Sequence, residues 1–172
     1  GVHWSFAMGG SEPATAAIGD LDGDGKPEVV GASTTGVFAL RNDGSRYWSS
    51  NPSGLGNQPT CGGVGIFDLD ADGYPEVVMG NYILDGRSGS LTGHGAYGAG
   101  SGYGSSWGSS VAAFGVAADI DQDGTQEVVT GNALYRKDGS TIWYNNRPDG
   151  FVAVANFDSD DNAEIVSTYT GN

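Results

Sequence analysis

Short apolar runs, each four or five residues long, alternate with tight polar clusters along the whole chain. Runs at 15–18, 63–67, 114–118 and 151–155 each precede an acidic cluster. A second run, opened by Val29 and Val30, Val77 and Val78, Val128 and Val129, or Ile165 and Val166, follows it. β-Branched pairs bounded by turn residues read as strands, and no stretch places apolar residues at helical spacing among helix formers. Two further strands then meet at an Asp-Gly turn. Val37 to Leu40 returns through Asp43-Gly44 to Tyr47 and Trp48, and Ala133 to Tyr135 returns through Asp138-Gly139 to Ile142 and Trp143. Asp-Gly between apolar runs predicts a hairpin of type I′, with positive φ at both central residues. Each complete unit is thus strand, acidic loop, strand, strand, hairpin, strand. Four antiparallel strands in 40 to 50 residues make a propeller-sized blade. The predicted fold is all-β, a β-propeller-like array of four four-stranded antiparallel blades. The repeats fall at about 14–50, 62–92, 113–146 and 150–172 within a single domain spanning 1–172. The last unit stops after its second strand. Residues 1–6, which contain Trp4, resemble a closing strand and are expected to complete it, closing a ring or pairing with a neighbouring chain.

The acidic clusters share one frame. The first is Asp20, Asp22, Asp24, Gly25, Lys26 and Glu28, at positions 1, 3, 5, 6, 7 and 9. Asp68, Asp70, Asp72, Gly73, Tyr74 and Glu76 repeat it, as do Asp119, Asp121, Asp123, Gly124, Thr125 and Glu127. The fourth, Asn156, Asp158, Asp160, Asp161, Asn162 and Glu164, keeps the spacing but has Asn at position 1 and Asp in place of Gly at position 6. Asp and Gly also make ordinary solvated turns. Four copies in one frame, each followed by the same apolar pair, point instead to a site. Three Asp oxygens, a bidentate Glu and the carbonyl at position 7 nearly fill the six to eight oxygens that Ca2+ takes. Magnesium wants fewer protein ligands, and zinc wants His or Cys, which none of the loops contains. The loop is not an EF-hand, whose bidentate Glu stands at position 12 and runs into a helix. Three calcium sites are expected, with a weaker fourth because Asp161 stands where a positive φ is needed.

Position explains the charge. The formal net charge of −14 suggests disorder or a basic partner, but sixteen of the 21 Asp and Glu lie in the four loops, and four Ca2+ would bring the charge to −6. Only seven Lys and Arg are scattered along the chain, so nucleic acid is not an expected partner. No transmembrane run or signal segment is present, and membrane insertion is not expected. A chain that begins Gly1-Val2 reads as a mature or excised piece. Cys61 stands alone, which excludes an intrachain disulfide and reads as a small buried side chain. Carboxylate calcium loops suit the extracellular space or cell surface, where the ion is abundant.

Residues 86–110 read as a Gly- and Ser-rich insertion in the second unit. As a surface loop it needs no further role. As a binding loop it would present Tyr97, Tyr103 and Trp107 to a ligand. Trp4, Trp48 and Trp143 read as packing between blades.

The D-x-D-x-D-G-x-P/Q-E-V-V motif followed by D-G-S-x-x-W resembles the FG-GAP and VCBS repeats of calcium-binding β-propellers. These occur in integrin α heads, fungal propeller lectins, secreted bacterial proteins and rhamnogalacturonan lyases. The resemblance covers nearly all of the chain outside the insertion. It implies structural calcium on one face of a propeller, at the loop residues named above. The family's Phe-Gly-Gly-Ala-Pro element is reduced to Phe114-Gly115, and most relatives have seven or eight blades. The resemblance is specific for calcium and fold and not for function; with calcium as a folding ligand and the outward loops free, the expected function is a non-catalytic module that binds a glycan or matrix ligand or serves adhesion. One alternative is a subunit of an extracellular filament or surface assembly, built by self-association of unfinished blade edges. Another is part of a polysaccharide lyase. A glycosidase pair needs spare carboxyls, and with Asp43, Asp85 and Asp138 in hairpin turns only Glu12 and Asp149 remain outside the loops. His3 and His94 have no nucleophile motif beside them.

Overall fold

The computed structural model describes residues 3–7, 15–33, 35–51, 62–98, 114–160 and 162–168. Among these residues the chain is all strand and turn. The first sheet holds β1 (Ala17–Gly19), β2 (Glu28–Ser33), β3 (Gly36–Leu40) and β4 (Arg46–Ser50). The second holds β5 (Gly65–Phe67), β6 (Glu76–Met79), β7 (Tyr82–Asp85) and β8 (Leu91–His94). The third is built from β9 (Val116–Ala118), β10 (Glu127–Val129), β11 (Ala133–Tyr135) and β12 (Thr141–Tyr144), and the last from β13 (Phe151–Ala155) and β14 (Glu164–Thr168). Each sheet runs in chain order with antiparallel neighbours. The first strands of successive sheets lie side by side. Thr15 forms a parallel bridge with Gly63, and its N–H bonds to the Gly62 carbonyl at 2.8 Å.

The middle strands are buried on both faces, so they read as unbroken apolar runs instead of alternating ones. The period of two then sends alternate residues to opposite seams. Val77, Met79, Tyr82 and Leu84 join Val30, Val37, Ala39 and Trp48 between the first and second sheets. Val78 and Ile83 join Val128, Ala133 and Tyr135 between the second and third. Trp48, on an outer strand, donates its indole N–H to the Gly86 carbonyl at 2.7 Å. Its ring lies where a Cβ on Gly89 would come within 2.5 Å, so that turn must carry glycine. Trp4 sits on Gly44 of the first sheet in the same manner and bonds to the Asn42 carbonyl at 3.0 Å. Trp48 is therefore seam packing, as its sequence context predicts. Trp143, in contrast, is 41% exposed.

Four expectations are corrected. The fourth sheet has two strands among the described residues, not four. Residues 3–7 form no strand; they contribute Trp4 as a lid on the first hairpin. The Asp-Gly turns are not type I′. Gly44 and Gly139 have φ of 84° and 80°, but Asp43 and Asp138 do not share the positive φ. Gly44 N–H bonds to Arg41 O and Arg41 N–H to Ser45 O, with the same pattern at Gly139 and Arg136. This is a three-residue loop ending in a left-handed glycine, with a register shift beside it. Finally, the second sheet does not give way to an insertion at residue 86. Asp85 bonds to Ser90 and Gly89 to Asp85 to close a turn, and β8 pairs with β7 as the fourth strand. Asp161, Tyr103, Trp107 and Cys61 lie outside the described residues.

Candidate functional site

Each acidic loop links the first two strands of its sheet, and its bonds follow from the spacing of its acids. The Asp at position 1 caps the loop backbone. Asp20 accepts from the N–H groups of Gly23 and Gly25, both at 2.8 Å. Asp68 accepts from Asp72 and Gly73 at 3.0 and 2.9 Å, and Asp119 from Asp123 and Gly124 at 3.1 Å each. The position-5 Asp accepts from the N–H of position 7. That bond is 2.8 Å in all four loops, from Lys26 to Asp24, Tyr74 to Asp72, Thr125 to Asp123 and Asn162 to Asp160. This bond holds Asp24 below the usual carboxylate range, and the hydroxyl and N–H of Thr125 do the same for Asp123.

The glycine at position 6 is left-handed in the first three loops, with φ of 81°, 88° and 93° at Gly25, Gly73 and Gly124. Position 4 is left-handed too. Gly23 has φ 76°, but the place is filled by Ala71 at 57° and Gln122 at 59° in the next two loops. This position is not legible in the sequence because Ala and Gln carry no turn signal there.

The position-9 Glu turns inward. Glu28, Glu76 and Glu127 are 2%, 2% and 3% exposed. One oxygen of each accepts the N–H of position 2, from Leu21 and Leu69 at 3.0 Å and Ile120 at 2.9 Å; Phe157 gives the same bond to Glu164 at 2.6 Å. Each Glu is thus tied to the backbone of its own loop through one oxygen. Burial, followed in the first and third loops by repulsion from neighbouring Asp, raises the pKa of Glu28, Glu76 and Glu127 in the metal-free protein.

Carboxylates converge in all four loops. Asp20, Asp22 and Glu28 each bring an oxygen within 4.8 Å of the others, as do Asp68, Asp70 and Glu76, and Asp119, Asp121 and Glu127. In the fourth loop the triplet is Asp158, Asp160 and Glu164. Asn156 is drawn into backbone bonding there, accepting from Asp158 N–H at 3.2 Å and donating to the Asp160 carbonyl. Asp24, Asp72 and Asp123 do not join the triplets of their loops. In the first three loops the donor set is two Asp oxygens beside one from a buried Glu whose ionisation is disfavoured without a cation, which fits a divalent ion of the calcium type. In the second loop a cation from the protein itself is present. Lys137 lies 2.7 Å from Asp70 Oδ2 and 2.8 Å from Glu76 Oε1. Although burial works the other way, its bonds to Asp70 and Glu76 hold the ammonium above its ordinary range.

Of the expected ligand-binding aromatics, the described residues include Tyr97. It stacks on Tyr144 with ring centroids 3.8 Å apart and planes 9° from parallel. Its backbone N–H bonds to Tyr135 Oη at 3.0 Å, and its carbonyl accepts from Asn81 Nδ2 at 2.8 Å. Tyr97 is thus anchored across the second seam and does not stand on a free loop.

These loops and sheets define a repeat module with an acidic metal-type loop in each unit. The model of the FG-GAP-like repeat family matches residues 10–79, a stretch that holds the first two loops and ends with β6. Among solved structures the chain is similar to the crystal structure of the V. cholerae biofilm matrix protein Bap1. The TM-score is 0.69 and the identity 25%, over 87% of this chain and 23% of that one. The chain thus spans under a quarter of that neighbour's length. No curated protein matches the chain.

Proposed function

We propose that the chain is an extracellular calcium-binding repeat module of β-propeller type, in which the ion is structural, and that it serves matrix or glycan attachment. The observation that carries this reading is the fourfold convergence of carboxylates, each around a Glu fixed to the backbone at position 2. Without a cation these charges repel one another, in the first three loops beside a buried acid; with one, the loop clamps the first two strands of its sheet. Calcium then acts as a folding ligand and stabilises by mass action. The parallel contact of first strands at Thr15 and Gly63 supports blades set around an axis. The likeness to a biofilm matrix protein supports an extracellular, non-catalytic role. His94, the lyase reading's one described strand histidine, is engaged in stacking on Tyr82 with ring centroids 4.1 Å apart.

The test is a calcium titration by calorimetry together with melting in EDTA and in millimolar Ca2+. Each filled loop adds about 2.7 kcal/mol at a hundredfold excess over its Kd, so three loops should separate the two melting temperatures by about 15–30 °C. Coincident curves and a flat titration would remove the calcium reading. A glycan array in calcium buffer then tests attachment.

A further inference from the structure

From the Lys137 geometry we infer that this side chain is a tethered cation that competes with calcium for the second loop, so that this loop fills last of the first three and its filling releases the clasp between the second and third sheets. This rests on the calcium reading above. The ammonium bridges Asp70 and Glu76, two of the three residues whose oxygens converge in that loop. A monovalent and a divalent cation held by the same two carboxylates would be in direct repulsion. Calcium must therefore drive the ammonium off or bind with the repulsion in place, and either lowers its affinity.

The arrangement is particular to this loop. Lys137 comes from the hairpin of the third sheet, not from the loop it enters. That hairpin is seated hard on the second sheet, for a Cβ on Gly93 would lie 2.4 Å from the Lys137 carbonyl and one on Gly139 2.3 Å from His94 N. The backbone that carries Lys137 is thus held, and the side chain alone is free to swing. In the first hairpin the matching residue is Asn42. The first loop is faced by the turn at 86–89, whose Arg87 instead stacks on Tyr74 at 4.2 Å and pairs with Asp85 at 3.8 Å. Lys26 does pair with Asp24, but at 3.3 Å, in solvent, and with an acid outside the triplet. Among the described residues, no other loop triplet receives a basic side chain from a neighbouring sheet.

The chain has two lysines, Lys26 and Lys137, so labelling lysine Cε with carbon-13 gives two side-chain signals. Calcium is titrated into the full chain carrying Glu164→Gln, which removes the fourth loop from the count, with calorimetry alongside. The Lys137 signal is expected to stay fixed while the first equivalents bind and to move with a last step at about tenfold or more higher calcium. Lys137→Met should merge that step with the earlier ones. Lys137→Gln does the same if the methionine variant fails to fold without calcium. Arg136→Met, which removes a charge from the same hairpin without touching the triplet, should shift the last step much less. If Lys137 moves with the first equivalents, or if Lys137→Met and Arg136→Met give the same isotherm, the competition is refuted while the calcium reading stands. If no loop takes calcium in any variant, both fall.

Discussion

Leu69 and Phe157 hold the same place, position 2 of an acidic loop, and both donate their N–H to the position-9 Glu. Leu69 is 1% exposed, Phe157 62%. Leu21 is fully buried like Leu69, and Ile120 is intermediate. The bonds from position 2 to the Glu and from position 7 to the position-5 Asp are therefore local and survive in all four copies, whereas burial of the residue behind the loop depends on the next sheet. Leu21 shows how: a Cβ on Gly86 of the second sheet would lie 3.3 Å from its Cδ2. Bond pattern alone does not make a strong repeat. The following sheet supplies the apolar contact that makes disruption of the loop costly.

The largest expected break in this comparison is apolar. Leu69→Ala should cost about 3–4 kcal/mol, a buried large-to-small change with a cavity, while Phe157→Ala should cost under about 0.5 kcal/mol; paired denaturant curves measure both. Equal losses would mean that the fourth loop is covered in solution. Next comes the metal. Glu127→Gln should remove about 2–3 kcal/mol of calcium-dependent stability, one filled loop's worth. Glu164→Gln should remove less than about 1 kcal/mol, read as the gap between melts in Ca2+ and in EDTA.

Acidification sharpens the comparison further. Glu28 and Glu127 have folded-state pKa values above their ordinary 4.5, so in the metal-free protein the native state binds more protons than the unfolded chain across that window. Their contribution to stability therefore falls as pH rises through it. Calcium needs the same carboxyls ionised, so its contribution runs the other way. The gap between the calcium and EDTA melting temperatures should shrink, by about 5 °C or more, on going from pH 7 to pH 5. A constant gap would place the ion away from these acids. The smallest effect is conformational. Ala71→Gly relieves a left-handed alanine and should stabilise by about 0.5–1 kcal/mol, whereas glycine at Ala163, which carries no such strain, should not.

The regular parts of the repeat were legible in sequence because they are local. β-Branched pairs, the D-x-D-x-D-G frame and the Asp-Gly turns each act within a few residues, and each appears as a strand, a capped loop or a hairpin. The type I′ prediction failed because a dipeptide does not count the residues in its loop; Asn42 joins Asp43 and Gly44 to make three. Strand β8 is not legible in the sequence because Leu91 to His94 contains a Gly and a Thr and lacks an apolar run. Its strand character comes from pairing with Tyr82 to Leu84.

By itself the sequence determined an all-β chain of four units, each with an acidic nest between its first two strands, since backbone preference and alternation are written residue by residue. Only the tertiary structure decided that Leu21 and Leu69 are plugs while Phe157 faces solvent, that Trp4 lies over the first hairpin, and that Lys137 enters the second loop. Those facts arise where one sheet meets the next. Residues 67 positions apart, such as Asp70 and Lys137, carry no sign of each other until the chain has folded.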